Sequence, residues 1–261
     1  MENNQINEKE ENNNNKDNNN LIDFSKYKIK KVEKGEDISN CEEITYKVIV
    51  IGDPAVGKST IIQNLVSECE IVKNQYKATI GFDIFNISAH VNEKIITMQI
   101  WDTSGLIEFS ASTPKLYKNT VLAIVVYAAN SPTSFQNLDN WINLLKLNSS
   151  SEVLVFIVGN KVDLKEFRKI SKEEGNKYVN DNNYKFFIET SALEKLNVKE
   201  LFDKAFVELY ELYSYYKKKD KEEEEDEEEQ RYDFTKRKGT FKLDKTNNNK
   251  KNKNKTCCSI Y

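Results

Sequence analysis

The segment GDPAVGKST, residues 52–60, follows directly after the apolar run 48–51 and constrains the fold more than any other part of the sequence. A strand, a glycine-rich turn and a helix in this order form a phosphate-binding loop, in which backbone N–H groups and a helix N-terminus surround an anion. Lys58 can reach the outer phosphates, and the Ser59 hydroxyl is placed to ligate Mg²⁺. The predicted triphosphate-binding residues are Gly52, Asp53, Pro54, Ala55, Val56, Gly57, Lys58, Ser59 and Thr60.

The two ends of the chain differ in composition from its centre. Residues 1–44 are rich in Asn, Glu and Lys, with too little apolar content to offset the entropy of ordering, so a disordered leader is predicted. Residues 21–32 are the exception, because their apolar side chains could dock on the core or form a partner-binding turn. Residues 217–261 are predicted to be a disordered charged tail, which leaves residues 45–216 as one folded domain.

Several functional classes find little support in the sequence. The sequence has no apolar run of eighteen residues and no apolar signal core. The protein is therefore expected to stay in the cytosol until something anchors it. Four scattered cysteines favour a reducing compartment over a disulfide framework. The single histidine, His90, is assigned no chemistry.

Between residues 45 and 216, strand-like and helix-like segments alternate, which is typical of a mostly parallel sheet with crossover helices. The strands are predicted at 46–51, 82–90, 95–101, 121–127, 153–158 and 184–188, and the helices at 58–66, 131–147, 171–180 and 197–217. The second and third strands are too close in sequence for a crossover and should form an antiparallel hairpin. The predicted fold is therefore an α/β phosphate-loop domain with six strands, one of them antiparallel, and helices on both faces.

The segment GNKVDL, residues 159–164, identifies the base. The Asp163 carboxylate can accept hydrogen bonds from the ring N–H and the exocyclic amine of guanine, an edge that adenine does not offer. Asn160 would tie this loop to the phosphate loop, and the stem of Lys161 would lie against the base. In the segment ETSAL, Ser191 shapes the turn and the Ala192 N–H is available to the guanine oxygen. GTP is therefore favoured over ATP, and an ATPase or kinase of the phosphate-loop class is the disfavoured alternative.

Two further segments complete the expected site for Mg²⁺ and the third phosphate. Thr79 can ligate Mg²⁺ through its hydroxyl and meet the third phosphate through its N–H, and Asp102 can hold Mg²⁺ through a water. Gly105 can offer its backbone N–H to the same phosphate. Both segments are predicted to be loops that order while the triphosphate is bound.

Taken together, the motifs GDPAVGKST, YKATIGFD, WDTSG, GNKVDL and ETSA resemble those of small GTPases of the Ras superfamily, and TIGFD and WDTSG resemble the Rab family in particular. The resemblance covers residues 46–210 and the terminal cysteines. It implies a monomeric switch that binds GTP or GDP with Mg²⁺ and acts in vesicle traffic without a nucleic-acid partner. It also implies exchange factors, GTPase-activating proteins, Rab escort or GDP-dissociation-inhibitor proteins and membrane effectors as partners.

The sequence departs from this family at positions that bear on hydrolysis. Leu106 replaces the glutamine that orients the attacking water, and Lys58, Thr79 and Gly105 are the remaining catalytic candidates. Since positioning is central to phosphoryl transfer, slow intrinsic hydrolysis is predicted. Three alternatives stay open: a packing change alone, an activating protein that supplies the glutamine, and a constitutively GTP-bound scaffold. Pro54 lacks an N–H at the loop edge, and Leu193 replaces a lysine that packs over the base.

The expected effector surface has also diverged. Of three aromatic positions on which Rab effectors often depend, the sequence has Ile84, Trp101 and Leu116, so only the tryptophan remains. Phe82 could be an alternative aromatic contact or a core residue. The predicted effector residues are Tyr76, Ile80, Gly81, Phe82, Ile84 and Trp101.

The C-terminus reads as a membrane anchor. An acidic run at 222–229 precedes residues 231–256, where ten Lys or Arg stand against two Asp, and the acidic run could extend the last helix or stay solvated, as expected here. The final CCSIY resembles a Rab prenylation site with Cys257 and Cys258 as acceptors, although single prenylation of a C-a-a-X box at Cys258 is an alternative. Two prenyl groups together with a basic segment would anchor the protein to the cytoplasmic face of an anionic membrane. A further pool of the protein is expected in the cytosol.

Overall fold

A computed structural model describes residues 26–33, 36–38, 41–66, 79, 81–107, 113–150 and 152–238, and for 225–238 it describes the helix backbone without side chains. It divides into two compact units, residues 1–210 and 211–261. The first unit contains a seven-stranded sheet. Its strands are β1 (Ile29–Lys31), β2 (Glu43–Ile51), β3 (Phe82–Val91), β4 (Lys94–Thr103), β5 (Thr120–Ala128), β6 (Leu154–Asn160) and β7 (Phe186–Glu189).

The strand order in the sheet is β1-β3-β4-β2-β5-β6-β7. β2 pairs in parallel with β4 and β5, and β6 continues the parallel pairing to β7. β3 is antiparallel to both of its neighbours, β1 and β4. Among the described strands β3 alone therefore runs against the rest, which confirms the predicted fold class and its single antiparallel strand.

Five α-helices are described: α1 (Lys58–Val66), α2 (Pro132–Gln136), α3 (Leu138–Asn148), α4 (Lys172–Asp181) and α5 (Val198–Lys238). On one face of the sheet, the buried side chains of α1 and α5 pack against Val48 and Val50 of β2. On the other face, α3 and α4 pack against Ile49 and Ile51. Because neighbouring residues of a strand point to opposite faces, the apolar run of β2 is buried on both sides and fixes the start of the phosphate loop between the two layers.

The elements differ from the predicted ones most in three places. β1 lies inside the leader that was predicted to be disordered, so this prediction is wrong for residues 29–31, which gain ladder hydrogen bonds on β3. The single helix predicted at 131–147 is two helices, separated at Asn137. α5 continues to Lys238, beyond the predicted boundary at 216, because Glu and Lys are strong helix formers.

The structure also bears on the membrane question. Within the residues that it describes, no helix combines the length and the apolar character needed to cross a bilayer. The predicted lipid acceptors Cys257 and Cys258, and the rest of the tail after residue 238, lie outside the described residues.

Candidate nucleotide-binding site

The phosphate loop joins the end of β2 to the start of α1. Three residues of the loop have positive φ angles: 140° at Gly52, 61° at Ala55 and 102° at Gly57. A Cβ on Gly52 would lie 2.1 Å from the Val126 carbonyl oxygen, so glycine is needed there for space as well as for backbone angle. The loop therefore adopts the curled path expected of a phosphate cradle, with the N-terminus of α1 directly behind it.

Lys58 lies inside this loop. Its side chain is 6 % exposed, and Nζ donates to the carbonyl oxygens of Gly52 at 2.8 Å and of Asp53 at 2.9 Å. Burial lowers the pKa of Lys58 to about 8, and the negative charges of Asp102 and Asp53 act in the opposite direction. A buried ammonium group that depends on neighbouring anions is suited to an incoming phosphate, since a further negative charge favours its charged form.

Three oxygen-bearing side chains meet beside the loop. Ser59 Oγ lies 2.9 Å from Thr79 Oγ1, and Thr79 Oγ1 lies 3.5 Å from Asp102 Oδ2. Asp102 is 1 % exposed, and its second oxygen, Oδ1, is buried without a hydrogen-bond partner in the described residues. Burial raises the pKa of Asp102, while Ser59, Lys58 and Thr79 counteract the rise. Oxygen ligands with one buried carboxylate oxygen left unpaired fit a Mg²⁺ ion.

Asn160 connects the phosphate loop to the opposite wall of the site. Its Nδ2 donates to the Val56 carbonyl at 2.8 Å, and its Oδ1 accepts from Thr190 Oγ1 at 3.1 Å and from the Ala192 N–H at 3.0 Å. The tie to the phosphate loop is the one predicted from the sequence. The Ala192 N–H, predicted to face a guanine oxygen, is instead bonded to Asn160 in this structure.

Asp163 is held in place by its neighbours. Ser191 Oγ donates to Asp163 Oδ1 at 2.6 Å, and the Glu194 N–H donates to Ser191 Oγ. Lys161 has φ 66°, and burial lowers its pKa while the charge of Asp163 raises it. Leu193 is 42 % exposed at the edge of the same turn. The structure thus brings the two predicted base-binding segments together.

The segment after β4 lies against the phosphate loop. A Cβ on Gly105 would lie 2.3 Å from the Pro54 nitrogen, which places the two backbones in direct contact. The next residue, Leu106, is 56 % exposed, and its N–H donates to Ser104 Oγ at 3.3 Å. An apolar, solvent-facing side chain therefore occupies the position next to Gly105.

The predicted effector residues are partly described. Phe82 and Trp101 stack with their ring centroids 4.9 Å apart, and Phe82 and Ile84 are 39 % and 45 % exposed. Gly81, with φ 82°, accepts from the Ser104 N–H. Leu116 is buried, which removes it from any such surface. Tyr76 and Ile80 lie outside the described residues.

The sequence reasoning missed two residues that contact the phosphate loop. Asn137 and Trp141, from the α2–α3 junction and α3, both donate to the side chain of Asp53. They lie 84 and 88 residues from Asp53 in the chain, and no local motif marks them.

Fold and site together define a phosphate-loop nucleotide-binding protein with a mixed sheet. A sequence profile of the Ras family matches residues 47–211. Similar proteins include Ras-related protein RABA1g of Arabidopsis thaliana, 35 % identical over 66 % of this chain and 78 % of that protein. Ras-related protein Rab-11C of Dictyostelium discoideum is 37 % identical over 66 % of this chain and 75 % of that protein. The chain therefore belongs to the Rab family of small GTPases, within the Ras family, as the sequence motifs predicted.

Proposed function

We propose that this chain is a membrane-anchored GTP switch of vesicle traffic whose intrinsic hydrolysis of GTP is slow. The observation that carries the proposal is Leu106, an exposed apolar side chain next to Gly105, which itself contacts the phosphate loop at Pro54. Family membership supports guanine nucleotide and Mg²⁺ as ligands.

The proposed roles follow from the contacts. Ser59 and Thr79 supply hydroxyl ligands to Mg²⁺, and Asp102 holds the ion through a water. Mg²⁺ would neutralise charge on the phosphates. Lys58 stabilises the outer phosphates, and the Gly105 N–H faces the third phosphate. Asp163 reads the guanine edge in a position that Ser191 fixes.

Slow hydrolysis follows from what Leu106 lacks. Intrinsic hydrolysis by Ras-type GTPases is already on the order of 10⁻⁴ s⁻¹, and a side chain that orients the attacking water raises it by positioning. A leucine side chain has no donor or acceptor with which to orient a water. We therefore expect the GTP-bound form to persist unless an activating protein supplies the missing group.

Single-turnover hydrolysis of bound GTP tests this proposal. The Leu106→Gln variant should hydrolyse GTP at least about tenfold faster than the wild type, the worth of one hydrogen bond made in the transition state. Leu147→Gln is the matched control, because Leu147 is 82 % exposed near the C-terminal end of α3. A wild-type rate equal to that of Leu106→Gln would contradict the proposal.

A second function, a permanently GTP-bound membrane scaffold, is favoured by the combination of Leu106 with Pro54, which lacks an N–H at the loop edge. The same experiment separates the two functions. Absence of turnover by the wild type would support the scaffold, whereas slow but measurable turnover by the wild type supports the switch.

The proposed partners are an exchange factor, a GTPase-activating protein, and escort or GDP-dissociation-inhibitor proteins. Effectors are proposed to contact the exposed Phe82 and Ile84 together with the half-buried Trp101. The proposed anchor is prenylation of Cys257 and Cys258, assisted by the basic segment 231–256 on an anionic membrane. The proposed location is the cytoplasmic face of an intracellular or plasma membrane.

A further inference from the structure

Each oxygen of the Asp53 side chain accepts a hydrogen bond from outside the phosphate loop. Asn137 Nδ2 donates to Asp53 Oδ2 and Trp141 Nε1 donates to Asp53 Oδ1, both at 2.8 Å. Trp141 is completely buried. Hydrogen bonds to a charged group contribute more than neutral ones, so these two contacts hold the carboxylate in one orientation.

The side chain of Asn137 contacts Asp53 and does not cap α3. It occupies the N-cap position of α3, where an asparagine side chain normally accepts from the first N–H groups of the helix and contributes about 1 kcal/mol. In this protein its side chain makes no capping bond. Its backbone oxygen accepts from the Trp141 N–H one helical turn later, so that the two side chains lie on the same face of α3.

Asp53 links these two contacts to the rest of the phosphate loop. Its carbonyl oxygen accepts from Lys58 Nζ, and it precedes Pro54, which has no N–H, and Ala55, which has φ 61°. Asn160 fixes the far end of the loop at Val56, and Asn137 and Trp141 fix the near end at Asp53.

We infer that Asn137 and Trp141 are positioning residues for phosphate binding, acting through the carboxylate of Asp53. They orient the phosphate loop before nucleotide arrives, which lowers the ordering cost of binding. The inference rests on the proposed guanine-nucleotide site and adds two residues to it that touch no nucleotide themselves.

The test compares GDP with GMP on the purified full-length protein. The phosphate loop surrounds the first two phosphates, whereas the base is held by Asp163, so GMP keeps the base contacts and loses a large part of the loop contacts. Asn137→Ala and Trp141→Phe should weaken GDP binding about tenfold and GMP binding much less. Asn143→Ala, an exposed asparagine on the same helix, is the matched control and should bind both nucleotides as the wild type does.

A double-mutant cycle distinguishes positioning from a general effect on folding. If Asn137 acts through Asp53, Asn137→Ala should have no further effect on the ratio of GDP to GMP affinity in an Asp53→Ala background. Additive effects, or equal losses of GDP and GMP affinity, would overturn the inference. Should Trp141→Phe unfold, Asn137→Ala still tests it, because Asn137 is only half-buried. A wild-type protein that does not bind GDP would instead overturn the proposed function.

Discussion

At the scale of single residues, we propose that Asp163 determines which base the site accepts. Its carboxylate is fixed by the Ser191 hydroxyl, so its oxygens meet the edge of the base without a search over rotamers. A carboxylate accepts hydrogen bonds and donates none, which matches the two donors of guanine.

Replacing Asp163 with Asn should exchange this preference. An amide group accepts one hydrogen bond and donates another, which matches xanthine, whose edge carries one N–H and one oxygen. We expect Asp163→Asn to lose at least about a hundredfold in GDP affinity and to gain xanthosine diphosphate binding, because each mispaired buried group costs roughly 1–3 kcal/mol. Competition binding measures both changes, and unchanged GDP affinity would exclude Asp163 from the base contact.

Some residues of the site could be predicted from the sequence, and others could not. Lys58, Asn160 and Asp163 stand in short motifs whose spacing reflects their chemistry, so they could be assigned from the sequence. Asn137 and Trp141 could not, since their contact with Asp53 depends on how α3 packs beside the phosphate loop. The hydrogen bond from the Ala192 N–H to Asn160 could not be predicted either, because it depends on the distance between two loops.

At the scale of elements, β1 extends the sheet beyond the six predicted strands. Tyr27 and Ile29 pack against the core, Tyr27 lies edge-on to Tyr210 with ring centroids 6.2 Å apart, and the Val32 N–H donates to Ser88. A three-residue strand next to a polar leader carries no alternation long enough to be recognised. β2, β5 and β6 could be predicted, because strands buried on both faces of a sheet have long apolar runs.

Two N-terminal truncations test the contribution of β1. Deletion of residues 1–33 removes β1 and the packing of Tyr27 and Ile29, and should lower the free energy of unfolding by about 1–3 kcal/mol. Deletion of residues 1–25 leaves β1 in place and should change it little. Urea unfolding of the GDP-bound proteins measures both, and equal stabilities for the two truncations would show that β1 adds nothing.

Two of the ion pairs of α5 have the same spacing but lie in different surroundings. Lys204 and Glu208 are 4 % and 5 % exposed with 2.9 Å between the charged atoms, and Lys185 also reaches Glu208 at 3.1 Å. Lys199 and Asp203 form the other pair, at the surface. Burial lowers the pKa of Lys204, and Glu208 opposes this change, so the buried ammonium depends on its partner.

Removing the charge of each acid separates the two pairs. Glu208→Gln leaves Lys204 buried without its counter-charge and should cost about 3 kcal/mol of unfolding free energy. Asp203→Asn, the matched control on the same helix, should cost less than about 1 kcal/mol because water screens the exposed pair. Thermal and urea unfolding provide the comparison, and equal costs would contradict the burial argument.

At the scale of the whole molecule, the folded domain and the C-terminal segment have separate tasks. The domain carries the nucleotide site, and the basic segment with Cys257 and Cys258 is proposed to carry the membrane contact. One lipid alone gives marginal binding, whereas two lipids or a lipid with a basic segment give stable binding.

Substituting both terminal cysteines tests the proposed anchor. Cys257→Ser with Cys258→Ser should move the protein from the membrane fraction of cells to the cytosolic fraction, since the basic segment alone supplies only about 1 kcal/mol per charge near an anionic surface. Cys41→Ser is the matched control, because Cys41 is exposed and lies outside the tail. Retention of the double variant on membranes would show that prenylation is not the anchor.

The proposed nucleotide site, with the phosphate loop on one side and Asp163 on the other, is expected to hold a guanine nucleotide. Competition between GDP and ADP for the nucleotide-free protein in the presence of Mg²⁺ tests it most directly. We expect GDP to bind tightly and ADP to bind with an affinity lower by about a thousandfold or more, because ADP loses two buried hydrogen bonds. Comparable affinities for GDP and ADP would contradict it.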